Sequence, residues 1–494
     1  MTLPEGWTLA RVDELAGPNG LVTDGDWVES KDQDANGEVR LTQLADVGEG
    51  DFRDRSRRYM NCKTAERLRC TYLRAGDALI ARMPDPIGRA CVFPGLNQPA
   101  VTAVDVMIWR TDNKLAGADW FVLWVNSPAV RSLMADGAGG TTRQRIAGGR
   151  IKEIELPLPP KAEQRRIVTK LNALNDRLTR ARMELDRAPT LAPRQRLALL
   201  RSAMLGILTE GWRANRELQP IAAVLDRISV PKQGRGGREA TDKIVAGTAA
   251  LSINNPSTEL PDGWAWVPLL RIAKQETGHT PSRSQPRYWD GGVPWIGIRD
   301  AGAHHGRTIE TTMQTISEAG LANSSARLLP AGTVCLSRTA SVGYVTMMGR
   351  SMATSQDFAT WTCTEALEPE YLMYALMAEG DDIRKFGMGS THTTIYFPEI
   401  RALHIALPPI EEQREIVKRL KAALARADRL EGEATRALAL LDRLEAAILA
   451  KAFRGELVPQ DPNDEPASVL LDRIRAERAA APKPKRGRAR KVVG

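Results

Sequence analysis

Cysteine and histidine are scarce in this chain of 494 residues, with five of each. Cys62, Cys70, Cys91, Cys335 and Cys363 are odd in number, and no two stand in C-x-x-C spacing. That argues against a zinc site and for buried free thiols in a reducing compartment. The histidines never form H-E-x-x-H, and the adjacent His304-His305 reads as polar loop rather than metal site. Long apolar runs are also missing, so no bilayer-spanning segment is expected. Met1 to Trp7 has no basic region followed by an apolar core, so no signal peptide is expected and the chain is placed in the cytoplasm. There is no G-x-x-x-x-G-K-[ST] loop, and no strand leads into a G-x-G-x-x-G helix. Pro-Pro occurs only after Leu, at 159–160 and 408–409, without the amide or acid that would hold a flipped base. No catalysis, metal or cofactor is expected in this chain.

Charge is present, and of one net sign. Lys and Arg number 69 against 60 Asp and Glu, a formal +9. That balance favours polyanions such as nucleic acid, weakly on its own. Aromatic residues are only 5%, yet 11 are Trp.

The informative feature is a repeat. Leu3-Pro4-Glu5-Gly6-Trp7 returns as Leu260-Pro261-Asp262-Gly263-Trp264, an offset of 257. Ala75-Gly76 and Arg82 return as Ala331-Gly332 and Arg338 at 256; Asp105 and Trp109 return as Asp357 and Trp361 at 252. From Gly140/Gly389 onward the offset is constant at 249, through Leu158-Pro159-Pro160 and Glu163-Gln164-Arg165 to Gly206/Gly455. Drift marks loops that tolerate length change. Constancy marks a helix whose faces must stay in register.

Each half therefore has two parts. The first is mixed: Ala78 to Ile80, Val104 to Trp109, Val334 to Leu336 and Phe358 to Trp361 read as short strands, and Trp120 to Val125 and Tyr371 to Met377 as short helices. The second is helical. Ile167, Leu171, Leu174, Leu178, Ala181 and Leu185 alternate at four and three residues, as do Ile416, Leu420, Ala423, Ala427, Leu430, Ala434, Ala437, Leu441, Leu444 and Ile448. These are heptad seams, and two of them suggest an intramolecular antiparallel pair. Pro189 and Pro193 are expected to interrupt the first helix, and Gly206 and Gly455 to end the two helices.

Taken together, these motifs resemble the specificity (S) subunits of Type I restriction-modification systems. The resemblance rests on Leu-Pro-x-Gly-Trp opening each half, Tyr288-Trp289-x-Gly291-Gly292-Val293-Pro294-Trp295-Ile296, Leu-Pro-Pro-x-x-Glu-Gln-Arg heading each helix, and the run at 452–457. The first half departs from it: Arg40-Leu41-Thr42-Gln43-Leu44 stands where the second has the Tyr-Trp block, so the two domains should read different sequences. The resemblance implies an α+β chain: two tandem α/β target-recognition domains separated by two long antiparallel coiled-coil helices, with an internal pseudo-two-fold repeat. The expected limits are recognition domains at 1–157 and 260–406, helices at 158–213 (kinked near Pro189 and Pro193) and 407–458, a linker at 214–259 with Gln233 to Gly237 flexible, and a tail at 459–494 whose basic end is disordered.

The resemblance further implies a bipartite asymmetric double-stranded DNA target, two methyltransferase (M) subunits using S-adenosylmethionine, and, in the restricting form, restriction (R) subunits. A coiled-coil adaptor with no DNA role is the alternative. Base readout needs polar side chains on exposed loops. The candidates are Thr141, Thr142, Arg143, Gln144 and Arg145 with the matching Ser390, Thr391, His392 and Thr393, together with Thr280, Ser282 and Arg283. Arg82 and Arg338 are expected on phosphates, against the competing possibility of an internal salt bridge. Arg53, Arg55, Arg57 and Arg58 form a basic cluster interleaved with acids.

Overall fold

The computed structural model describes residues 3–84, 86–140, 144–233, 239–339, 341–388 and 393–480. The chain divides into two compact units, Met1–Leu185 with Ala437–Gly494, and Asp186–Arg436. The helices that position the site are α1 (Ala118–Val125), α2 (Lys161–Met204), α3 (Ile221–Leu225), α4 (Pro369–Ala378), α5 (Ile410–Phe453) and α6 (Ala467–Ala480).

In the first unit, Leu21–Asp24, Val106–Arg110, Ala78–Ala81 and Ala90–Val92 make an antiparallel sheet in that order. A second sheet joins Tyr59–Met60, Val39–Thr42 and Ala100–Thr102, the last pair parallel. Apolar alternation buries Trp109 against α1, where its ring stacks on Phe121 at 3.9 Å. The second unit repeats this plan. Ala273–Thr277, Phe358–Cys363, Val334–Ser337, Val345–Met348 and Thr308–Ile309 form one sheet; Gln314–Ile316, Trp289–Ile296 and Ala353–Thr354 form another. The strands and short helices expected from the sequence are all present, within a residue or two of their expected ends.

The opening motif and the helix-heading motif meet in each unit. Trp7 Nε1 donates to Glu163 Oε2 at 3.0 Å, and Trp264 Nε1 to Glu412 Oε2 at 2.9 Å. Leu-Pro-Pro sets an extended entry, and the Pro160 and Pro409 carbonyls accept from Gln164 and Gln413 N–H in the first turn. Both helices end as expected. Gly206 and Gly455 have φ +75, and the following N–H groups donate to Ser202 O and Lys451 O, five residues back.

The helices pair antiparallel within each unit. In the first, Ile167 and Leu171 pack with Ala452 and Ile448, while Arg182 meets Asp442 at 2.7 Å. In the second, Arg196 meets Asp428 at 2.7 Å and Arg419 donates to Leu208 O. Most seam residues are buried or half-buried, but Leu430 and Leu444 are 58% and 48% exposed. Two helices cover only part of an apolar stripe as wide as this one.

Three expectations are corrected. First, α2 runs unbroken through Pro189 and Pro193. The two rings remove only the bonds to the Leu185 and Pro189 carbonyls, and their spacing of four places both losses on one face. The ion pairs at Arg182 and Arg196 hold the turns on either side. Second, 214–259 is more than a linker: α3 enters the core through Ile221 and Leu225, and Val245–Ala246 and Leu251–Ile253 extend a sheet with Leu403–Leu407 and Ala265–Pro268. Gln233 bonds the Leu270 and Ala273 carbonyls, whereas Gly234 to Gly237 lie outside the described residues. Third, 459–494 is more than a tail. Leu471 and Ile474 of α6 are buried in the first unit's core, and Arg475 pairs with Glu14. The basic end from Ala481 lies outside the described residues. The two additions are themselves a repeat: Ile221 N–H donates to Gly263 O, and Ala467 N–H to the equivalent Gly6 O.

The cysteines are unpaired; Cys91 and Cys335 are buried as expected, but Cys62 is exposed. His304 and His305 both bond main chain. His305 Nδ1 accepts from Val345 N–H at 3.0 Å, and burial holds its pKa below the ordinary imidazole value. The unfolded chain takes up a proton near pH 6.5 that the folded unit resists, so this contribution is intact above that pH and is lost as pH falls through the depressed folded pKa. His305→Asn keeps an acceptor and does not titrate. Its melting temperature is expected to fall less steeply than wild type between about pH 6.5 and 5. Equal slopes in the two proteins would refute this.

Candidate nucleic-acid interface

The two units carry equivalent grooves. In the second unit, Trp295 and Ile296 pair in parallel with Ala353 and Thr354, and the chain after each strand opens a cleft. Asp300 holds one wall. Its buried carboxylate accepts from Gly297 N–H at 3.0 Å and Met313 N–H at 2.8 Å. Asp357 holds the other, accepting from Thr339 at 2.6 Å and Ser355 at 2.9 Å. The cleft measures about 640 Å³ and is lined by Thr280, Arg283, Trp295, Arg299, Gln314 and Gln356 among others.

In the first unit Asp46 repeats the role of Asp300, accepting from Gln43 and Ser56 N–H at 2.7 Å each. The cleft there is about 610 Å³, lined by Trp27, Glu29, Gln33, Gln43, Arg58 and Arg145 among others. Ala103, Val104 and Asp105 line it where Ser355, Gln356 and Asp357 line the second. The frame is therefore repeated, and the side chains that face the opening differ.

Those side chains are hydrogen-bonding groups on a rigid base. Trp289 and Trp295 pack edge to face at 5.2 Å, and the Arg283 guanidinium lies 4.6 Å from the Trp289 ring. Arg283 donates to Gln314 Oε1 at 3.3 Å, and Thr280 to Gln356 Oε1 at 2.6 Å. Both Gln side chains keep their amide N–H groups for other partners. Arg299 is exposed, with no ion pair among the described residues. In the first unit Arg58 donates to Gln33 Oε1, and Trp27 is 68% exposed.

The expected site residues divide. Thr280 and Arg283 line the second groove; Ser282 is exposed beside it, sharing a hydrogen bond with Ser284. Arg145 lines the first groove, meeting Asp105 at 3.2 Å and Val104 O at 3.0 Å, and Gln144 next to it is exposed. Thr393 is half-buried. Thr141, Thr142, Arg143, Ser390, Thr391 and His392 lie outside the described residues.

Arg82 does not face out. It is 4% exposed, pairs with Asp24 at 2.7 Å, and donates to Ile146 O and Val104 O. Arg338 is half-buried over the Phe397 ring at 4.4 Å and donates to Gln356 O. Both tie a strand end to the loop that follows the groove. The internal contact is thus the one each residue makes. The basic cluster is partly spent as well: Arg57 pairs with Asp54, and Arg53 lies 3.7 Å from Asp51.

Trp27, Gln33, Gln43, Arg299, Gln314 and Gln356 are not among the residues expected from the sequence. A further repeat at offset 254 locates two of them, Gln43 and Arg299: Val39 to Asp46 aligns with Val293 to Asp300, ending in the paired wall carboxylates.

The chain matches the model of the Type I restriction modification DNA specificity domain over residues 38–185 and 261–438. It is 26% identical to the Type I restriction enzyme EcoKI specificity subunit of Escherichia coli (strain K12), covering 74% of this chain and 73% of the relative. It is 25% identical to the EcoDI specificity subunit of Escherichia coli over 73% and 77%. Its fold is similar to the crystal structure of the HsdS subunit from Thermoanaerobacter tengcongensis, with a TM-score of 0.60 at 20% identity, covering 92% of this chain and 99% of that one.

Proposed function

The chain belongs to the Type I restriction-modification DNA specificity family, and from that premise we propose that each unit reads one part of a bipartite, asymmetric double-stranded DNA target through its groove. One observation carries this: the same cleft recurs at equivalent positions with a different set of Arg, Gln and Thr groups facing out. Such groups address base edges in the grooves of DNA. A repeated frame with exchanged lining suits two readers of unlike sequences. The adaptor reading leaves these two clefts without a role.

Catalysis is assigned to partners. Two methyltransferase subunits, using S-adenosylmethionine, would dock on the helices and be directed to adenines in the target; restriction subunits would join in the restricting form. Exposed Leu430 in one unit, and Leu440 and Leu444 in the other, offer apolar surface for such docking. The work is placed in the cytoplasm, and no helix among the described residues is long and apolar enough to cross a membrane.

The test is exchange of residues 1–150 for those of a relative, with α6 left in place. One half-site is expected to change and the other to stay. If both change, the independent-reader model fails. Affinity of the assembled complex for its own site is also expected to fall steeply with salt, by roughly 0.9 log per log of salt for each phosphate neutralised.

A further inference from the structure

The two units differ at the foot of each long helix. In the second, Glu368 precedes α4 and fills a notch beside α5. Its N–H donates to Gln413 Oε1 at 2.8 Å, and its carboxylate lies 3.5 Å from Arg414. Gln164 and Arg165 are the repeat equivalents of Gln413 and Arg414. The amide nitrogens behave alike: Gln164 Nε2 donates to Leu115 O and Pro159 O, and Gln413 Nε2 to Ala366 O and Pro408 O.

The acceptor ends do not. Gln164 is 3% exposed, and its Oε1 is buried with no hydrogen-bond partner among the described residues. A buried acceptor left so is destabilising until a donor reaches it. Gly117 caps α1 where Glu368 caps α4, so the carboxylate is missing. Arg165 has no acid within ion-pair distance among the described residues. A cavity of about 340 Å³ takes the place of the glutamate, lined by Gly117, Asp119, Trp120, Lys161, Gln164 and Arg165 among others. Lys161 stands where the second half has Ile410, which adds a second cation. Asp119 is the one acid in the wall; Asp112, which also acts on Lys161, is bonded to Asn19 and Lys114 N–H. The N-terminal end of α2 adds further positive potential.

We propose that this notch receives one acidic residue of a partner polypeptide, whose backbone N–H bonds Gln164 Oε1 and whose carboxylate sits between Lys161 and Arg165. Glu368 is the template, since one residue of this chain satisfies both groups in the other half. The stretch from Ala481 carries six basic residues and no acidic one, so it is not the occupant.

The experiment titrates the full chain with N-acetyl-glutamate N-methylamide, read by ligand-observed NMR. Saturable binding at about millimolar Kd is expected. It should weaken by about tenfold or more in Arg165→Ala and vanish in Gly117→Glu, which supplies the carboxylate internally. Gly117 has an ordinary φ of −81, and a Cβ there would lie 3.8 Å from Asn113 Oδ1, so the glutamate is accommodated. The neutral glutamine analogue should not bind. The proposal is overturned if wild type shows no saturation, if Gly117→Glu binds like wild type, or if the neutral analogue binds equally. It is also overturned if inorganic phosphate binds as tightly and Arg165→Ala loses DNA affinity in parallel, which would make the notch a phosphate contact.

Discussion

Deleting residues 459–494 is expected to open the first unit while leaving the second protected. Ala467, Leu471 and Ile474 of α6 are each 2% exposed or less, set in the core formed by Leu15, Trp120 and Leu156. Exposing that core costs about 1.5–3 kcal/mol for each large apolar side chain. Arg475 would leave Glu14, whose carboxyl the guanidinium holds below the usual range, and Arg166 would leave Asp464. The total, about 5 kcal/mol, is comparable to the whole stability of a domain. Hydrogen exchange should show lost protection in Thr8–Arg11 and α1, with Val334–Ser337 and Phe358–Cys363 unchanged. Retained protection at Thr8–Arg11 would sink the idea that α6 is part of this core.

The second large effect is expected at Glu412. This carboxylate is fully buried and accepts from Trp264 Nε1, Thr209 Oγ1 at 2.7 Å and Arg213 at 2.6 Å. Glu412→Gln removes the charge opposite Arg213 and turns one acceptor into a donor facing donors. Breaking a buried pair from one side costs about 3–5 kcal/mol. Among the described residues Glu163 has only Trp7 as a hydrogen-bond partner, and its other oxygen is buried without one. Burial pushes its pKa up. A raised carboxyl pKa means the charged form weighs against folding above the folded pKa, and the penalty is relieved as pH falls toward the unfolded value. Glu163→Gln is therefore expected to cost far less at neutral pH and to flatten the acid-side rise in stability of the first unit. Thermal melts of both variants across pH check this; equal losses at pH 7 would contradict it.

Much of this was legible in the sequence because repetition supplies its own control. The constant offset of 249 marks the helices, and their seams find partners. Pattern failed where one residue type serves two roles. An arginine after a strand reads the same whether it meets a phosphate or, as Arg82 does, the Asp24 carboxylate. Proline reads as a break, but neighbouring turns held from the side carry α2 through it. Segments 220–228 and 466–474 both run Pro to Leu-Asp-Arg-Ile, yet their small polar surroundings read as linker and tail. The groove residues are scattered along the chain and converge only through the sheet pairing of Val39–Thr42 and of Trp289–Ile296.

The glycines that end the long helices carry one more consequence. A Cβ on Gly206 would lie 2.7 Å from Pro261, and one on Gly455 would lie 2.6 Å from Pro4, so the same junction is built twice. The glycine-on-proline contact matches, but the tethers do not. One junction joins residues 206 and 261; the other joins residues 4 and 455. That is about three doublings of chain length, and each adds about 0.6 kcal/mol of closure entropy. The junction at Pro4 therefore starts about 2 kcal/mol behind its twin for an equal set of contacts, so it is the later to close and the earlier to open.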